Sequence, residues 1–130
     1  VCQGHTMTGG AGKDNASWAL VEPERSAFSG TMRMQIGGTG GPSTGCANLD
    51  KVGSDMESLE GSKFGDTLSG TSGTDGFLGQ KGADTFLGKG GKNYIDARDG
   101  ERDTTINCGG GGKNTVLTDK SDPKPKNCPG

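Results

Sequence analysis

The chain has 130 residues, of which 27% are apolar and 27 are glycine, and its net charge is −2 at pH 7. So little Leu, Ile, Val and Phe excludes an ordinary compact core, since ordering the chain costs roughly 1–2 kcal/mol per residue that buried surface must offset. Lysines alternate with acids and aromatic residues are few, which speaks against nucleic acid, and no apolar run is long enough to span a bilayer.

Disorder is the competing reading of such a composition. Against it stand the small net charge and the regular spacing of the glycines. In chain order, the first regular stretch is GGAGKDNAS at 9–17, with Gly9, Gly10, Gly12 and Asp14 in a pattern that returns later. Residues 20–53 match no pattern. Within them GGTGGPSTG, 37–45, lacks the G-K-[ST] ending and the following helix of a phosphate-binding loop, so it reads as a loop bulging from the fold.

The repeat proper follows. GSKFGDTLS, 61–69, puts Asp66 at its sixth position and Leu68 at its eighth, with Phe64 in place of the fourth-position glycine. Gly70, Gly79 and Gly88 then open three consecutive nine-residue units, with Gly73, Gly82 and Gly91 three places on. Their sixth positions read Asp75, Asp84 and Asn93, and their eighth Phe77, Phe86 and Ile95. After residue 96 the register loosens: eleven residues separate Ile95 from Ile106, and ten separate Ile106 from Val116. GGGGKNTVL, 109–117, restores the glycines and carries Asn114 at its sixth position. A fixed period of this kind signals a solenoid, and it outranks helix or strand readings of single windows.

Four cysteines, Cys2, Cys46, Cys108 and Cys128, contain no C-x-x-C pair, and the single histidine is His5, so a zinc site of ordinary spacing is absent. They read as two disulfides in an oxidising compartment. Three connectivities are possible and sequence alone does not choose; Cys2–Cys46 with Cys108–Cys128 is favoured because each bridge closes one end of the chain. The chain opens at Val1 without a charged or apolar leader, which suggests a mature or excised secreted product.

The units resemble the calcium-binding nonapeptides of the RTX, or hemolysin-type, family, G-G-x-G-x-D-x-U-x with U a large apolar residue. SDMESLEGSKFGDTLSG, 54–70, is similar to a segment common in long secreted proteins of that kind. IDARDGERDTTINCG, 95–109, together with Cys128, resembles the closing segment of small actinobacterial calcium-binding repeat proteins. The resemblance covers 54–117, with a weaker match at 9–19.

What the resemblance implies is an all-β, right-handed parallel β-roll. It would form one domain over 1–130, with irregular N-terminal coils and a loop at 1–53, repeats at 54–117 and a C-terminal cap at 118–130. Each unit would be a six-residue turn and a three-residue strand, with Leu68, Phe77, Phe86, Ile95, Ile106 and Val116 pointing inward as a thin core. Two units make one coil, so Asp66 would stack over Asp84 and Asp75 over Asn93. In the family the sixth-position carboxylate and turn carbonyls share Ca²⁺, which takes 6–8 oxygen ligands at about 2.3–2.6 Å. Carried over, the ligands are Asp66, Asp75, Asp84 and Asn93, with carbonyls of Gly61, Lys63, Gly70, Ser72, Gly79 and Lys81.

Asn93 keeps an oxygen but loses the charge, and it could instead join an amide ladder; the Asp66/Asp84 edge is therefore the stronger site. Lys13, Lys63, Lys81, Lys89, Lys92 and Lys113 in the turns weaken cation affinity. Asp99, Glu101 and Asp103 form an acidic cluster open to a further ion or to solvent alone. Nothing ties His5 to a nucleophile, so catalysis is not expected. Trp18 reads as a packing residue, and the Asn15-Ala16-Ser17 sequon as a chance match. The expected function is a secreted calcium-binding β-roll, a non-catalytic module that folds as calcium binds. The alternative is a calcium-independent structural solenoid that self-associates through its exposed ends into filaments or forms part of an adhesin. A Thr-row surface binder ranks lower, because Thr67, Thr85 and Thr115 do not recur in every coil.

Overall fold

A computed structural model describes residues 6–17, 32–42 and 49–129. Among them there is no helix, and twelve short strands form two sheets. The strands are β1 (Thr6–Met7), β2 (Asn15–Ser17), β3 (Met32–Gln35), β4 (Thr39–Pro42), β5 (Asp50–Val52), β6 (Ser58–Glu60), β7 (Asp66–Ser69), β8 (Gly76–Leu78), β9 (Thr85–Leu87), β10 (Tyr94–Asp96), β11 (Thr105–Asn107) and β12 (Thr115–Leu117). Sheet A has the order β1-β5-β4-β3-β7-β9-β11, and sheet B the order β12-β10-β8-β6-β2.

From β6 onward, successive strands alternate between the sheets, and every pairing among them is parallel. The register is the repeat made visible. Leu68 pairs with Phe86, Leu59 with Phe77 and Phe77 with Ile95, each a step of two nonapeptides. The looser spacing after residue 96 is absorbed in the turns, so Phe86 still meets Ile106 and Ile95 still meets Val116.

Alternation along a strand sends every second side chain inward. Leu59, Leu68, Phe77, Phe86, Ile95 and Ile106 are all 2% exposed or less, while Val116, in the last coil, is only partly buried. Ala16, Met32, Met34, Ile36, Val52 and Met56 extend this core toward the N-terminus. The fourth-position glycines have a steric reason. At Gly91 (φ 72°) a side chain would run into the backbone of Gly73, and at Gly82 (φ 108°) into that of Phe64, each in the turn one coil earlier.

Sheet A is not wholly parallel. β3 pairs antiparallel with β4, and β4 with β5, within the stretch whose course the repeat does not predict. Gly37 (φ 75°) makes the connection, with the Gly38 N–H donating to Gln35 O at 3.0 Å. Thr39–Pro42 of the expected glycine-rich loop is thus a strand, because this turn folds it back onto β3; residues 43–45 lie outside the described segments.

Cys108 and Cys128 form a disulfide, as the favoured pairing requires. Cys2 and Cys46 lie outside the described residues, as do His5 and Trp18. The bridge ties the C-terminal segment to the edge of β11, where Lys126 N–H donates to Ile106 O (2.9 Å) and Cys108 N–H to Lys126 O (3.0 Å). The cross-linked residues are 20 apart, so replacing both by Ala is expected to lower stability by about 3 kcal/mol. Urea denaturation checks this; a loss below about 1 kcal/mol would show that the segment's hydrogen bonds hold it without the cross-link.

A candidate metal centre

Each nonapeptide turn ends on its sixth residue, directly before or at the start of a strand. Asp66 and Asp84 close turns leading into sheet A; Asp75 and Asn93 close turns leading into sheet B. The first-position glycines explain how these side chains fit. A Cβ at Gly61, Gly70 or Gly79 would collide with the carboxylate of Asp66, Asp75 or Asp84 respectively. The sixth-position side chain therefore folds back under its own turn.

Stacking joins each such residue to the next coil. The Asp66 N–H donates to Asp84 Oδ1 (2.8 Å), and the Asp84 N–H to Asp103 Oδ1 (2.9 Å). On the other edge the Asp75 N–H donates to Asn93 Oδ1 (3.0 Å), and the Asn93 N–H to Asn114 Oδ1 (2.8 Å). The expected stacking of Asp66 with Asp84 and of Asp75 with Asn93 is present. Two side-chain ladders run along the molecule, and they differ in charge.

From Asp75 onward the sheet B ladder satisfies itself, although at its N-terminal end Asp14 Oδ2 is buried without a hydrogen-bond partner. Asp75 Oδ2 accepts from the Thr71 N–H (2.7 Å) and hydroxyl (3.1 Å). Asn93 Nδ2 donates to Gly90 O (2.7 Å) and Cys108 O (3.3 Å), and Asn114 Nδ2 donates to Gly112 O (2.8 Å). The third writing of the repeat carries Asn because an amide has donors for the carbonyls around it, where a carboxylate has none.

The sheet A ladder does not close this way. Asp66 is held by Ser62, whose N–H and hydroxyl donate at 2.6 and 2.8 Å. Asp84, Asp99 and Asp103 are different: one carboxylate oxygen from each lies within 4.8 Å of the others. In all three, Oδ1 accepts a backbone N–H, that of Asp66, Glu101 and Asp84 respectively. In all three, Oδ2 is buried without a hydrogen-bond partner. Asp84 is 0% exposed and Asp103 2%. Burying carboxylate oxygens unpaired costs several kcal/mol unless a proton or a cation is supplied.

The electrostatics agree. Burial, reinforced by neighbouring carboxylates, pushes Asp84 up to about 9 and Asp103 up to about 7, and it raises Asp99 as well. Burial also lifts Asp66 to about 6, against the hydrogen bonds from Ser62. Further acids hold the group in place. Asp119 Oδ2 accepts from the N–H groups of Asp99 (2.8 Å) and Gly100 (2.7 Å), and Asp122 Oδ1 accepts from that of Asp103 (3.0 Å).

Of the residues expected to bind an ion, Asp84 stands in this cluster. Asp66 stacks beside it but is satisfied by Ser62, and Asp75 and Asn93 belong to the opposite edge, where the ladder closes on itself. Gly61, Gly70 and Gly79 pack against the sixth-position carboxylates, while Lys63, Ser72 and Lys81 sit exposed in the turns. Asp99 and Asp103 of the acidic segment join Asp84, and exposed Glu101 donates only its N–H to Asp99. Their partnership with Asp84 is obscured in the sequence by the two extra residues between Phe86 and Ile106. Counting back two from Ile106, as from Phe86 to Asp84, reaches Thr104 rather than Asp103, so the period carries no signal for it.

No protein-family description, curated protein or solved structure matches this chain.

Proposed function

We propose that the protein is a secreted, non-catalytic calcium-binding module, an RTX-type β-roll in which Ca²⁺ sits on Asp84, Asp99 and Asp103. The observation that carries this reading is the convergence of three carboxylates, each of which has a buried Oδ2 without a hydrogen-bond partner. The donor set is all carboxylate oxygen, which suits a hard divalent cation; zinc or copper would favour nitrogen or sulfur. Calcium is preferred to magnesium because it tolerates irregular oxygen shells and sheds water readily. Metal binding would neutralise the repulsion among the three carboxylates, so its free energy would enter folding directly. The Cys108–Cys128 disulfide supports an oxidising, extracellular setting.

The sheet B ladder favours a second reading, a structural roll that needs no ion, because its amides satisfy the stacked turns unaided. Thermal melts and far-UV circular dichroism of the oxidised protein, in EGTA and then through a calcium titration, separate the two. The calcium reading expects the melting temperature to rise by about 10 °C once calcium reaches a hundredfold excess over its Kd, with magnesium much weaker. A β spectrum in EGTA with a melting temperature indifferent to millimolar calcium would give first place to the structural roll.

A further inference from the structure

The outward positions of sheet A form two rows in register. One reads Arg33, Thr67, Thr85, Thr105, and the other Gln35, Ser69, Leu87, Asn107. Neighbouring strands are about 4.8 Å apart, so the three threonines make a continuous hydroxyl ladder with a guanidinium at its head. Thr115 belongs to sheet B; Thr105 is the residue that continues the row. Neither row contains a carboxylate, although the whole chain has net charge −2. Exposed Lys51, paired with Thr39 on β4, adds a second cation to the same sheet.

Arg33 is exposed, and no side-chain hydrogen bond or ion pair joins its guanidinium to another described residue. It lies on the boundary of two grooves of about 270 and 530 Å³. Thr67 lines both, with Thr85 in the first and Gln35, Thr39 and Ser69 in the second. Among the described residues lining them the one acid, Asp66, is 2% exposed and committed to Ser62.

We propose that this face of sheet A binds an acidic polysaccharide, with Arg33 engaging a sulfate or carboxylate group and the Thr67–Thr85 ladder hydrogen-bonding the sugar hydroxyls. Guanidinium offers forked donors matched to such anions, and hydroxyls both donate and accept, as sugar hydroxyls do. A single strand of nucleic acid fits poorly, since neither row offers an aromatic side chain for base stacking. A membrane surface would call for a denser cluster of cations. If a second copy of the chain brought its sheet B face, the acids there are already engaged. Glu60 accepts from Ser17 Oγ and from Gln80 Nε2 (2.6 Å), and Asp96 accepts two hydrogen bonds from the Arg98 guanidinium and one from its N–H.

The test is calorimetric titration of the oxidised protein, in calcium, with dextran sulfate, hyaluronate and neutral dextran. Binding of either charged polymer but not of neutral dextran is expected. Arg33→Gln should weaken it at least tenfold and Arg33→Lys by less. Changing Lys89, Lys92 and Lys113 together to Gln should alter it by less than twofold. Binding that survives Arg33→Gln, or is lost in the triple variant, would mean nonspecific attraction to the lysine-bearing turns and would overturn the proposal. So would failure of both charged polymers to bind, or a dimer in sedimentation that Arg33→Gln dissociates. Melting temperatures of the variants in calcium, equal to that of the parent, keep this result separate from the calcium reading.

Discussion

Replacing Asp84 by Asn is expected to stabilise the calcium-free protein by about 4 kcal/mol at pH 8 while weakening calcium binding at least a hundredfold. The amide keeps an oxygen for the Asp66 N–H and turns the unpartnered Oδ2 into a donor beside Asp99 and Asp103. The pH dependence follows the same logic. Asp84 titrates near 9 in the folded chain and near the ordinary carboxylate value when unfolded, so the folded state holds the extra proton. The associated stability is complete below about pH 4 and is lost as pH rises toward 9. Asp66 and Asp103 add the same trend up to about 6 and about 7. In EGTA the parent should therefore weaken from pH 5 to pH 9, and the Asp84→Asn variant should lose the part of that decline that continues above pH 7, where Asp84 alone still titrates. Calcium should reverse the slope, because it needs the carboxylates bare. Urea denaturation across this range, with and without calcium, is the measurement. An Asp84→Asn variant no more stable than its parent in EGTA would show that the buried oxygens carry no penalty.

The converse change, Asn93→Asp, is expected to cost about 4 kcal/mol in EGTA, a fall in melting temperature of about 15 °C. Asn93 is 2% exposed, and its orientation is fixed because Oδ1 accepts the Asp75 N–H while Nδ2 faces two carbonyls. Aspartate would set a charged acceptor against Gly90 O and Cys108 O, with no donor left between them. Asn93→Ala should cost less, since it removes the bonds without adding a charge. If both variants melt within a few degrees of the parent, the amide ladder is not what holds this edge. If calcium restores the Asn93→Asp variant and leaves Asn93→Ala unchanged, the edge has been converted into an ion site.

The inward positions were legible because burial and the repeat agree: Leu68, Phe77, Phe86, Ile95 and Ile106 recur at intervals that only stacked strands explain. Even the irregular spacing after residue 96 kept its register, since turns can lengthen where strands cannot slip without exposing the core. The antiparallel pairing of β3, β4 and β5 was not legible. Their glycines resemble those of the repeat, while what directs them is one turn at Gly37. The candidate metal centre was half legible. Asp84 sits in the motif, but its partners come from a turn whose length breaks the period, so the motif pointed to Asp66 instead. Which oxygens remain unpaired depends on whether a Ser or Thr stands four residues earlier to satisfy them, as Ser62 does for Asp66 and Thr71 for Asp75.

A solenoid has few long-range contacts beyond its neighbours, so it tends to unravel from its last coil. Here that coil is fastened through Lys126 and the Cys108–Cys128 bridge, and the Asp99–Asp103 turn is fastened through Asp119 and Asp122. Opening the C-terminal end in small steps is thereby denied: it must part from β11 with its tether intact. Under the proposed secreted reading this bears on lifetime. Proteases attack frayed segments, and a segment held to β11 in this way is open to them only when it parts from the body.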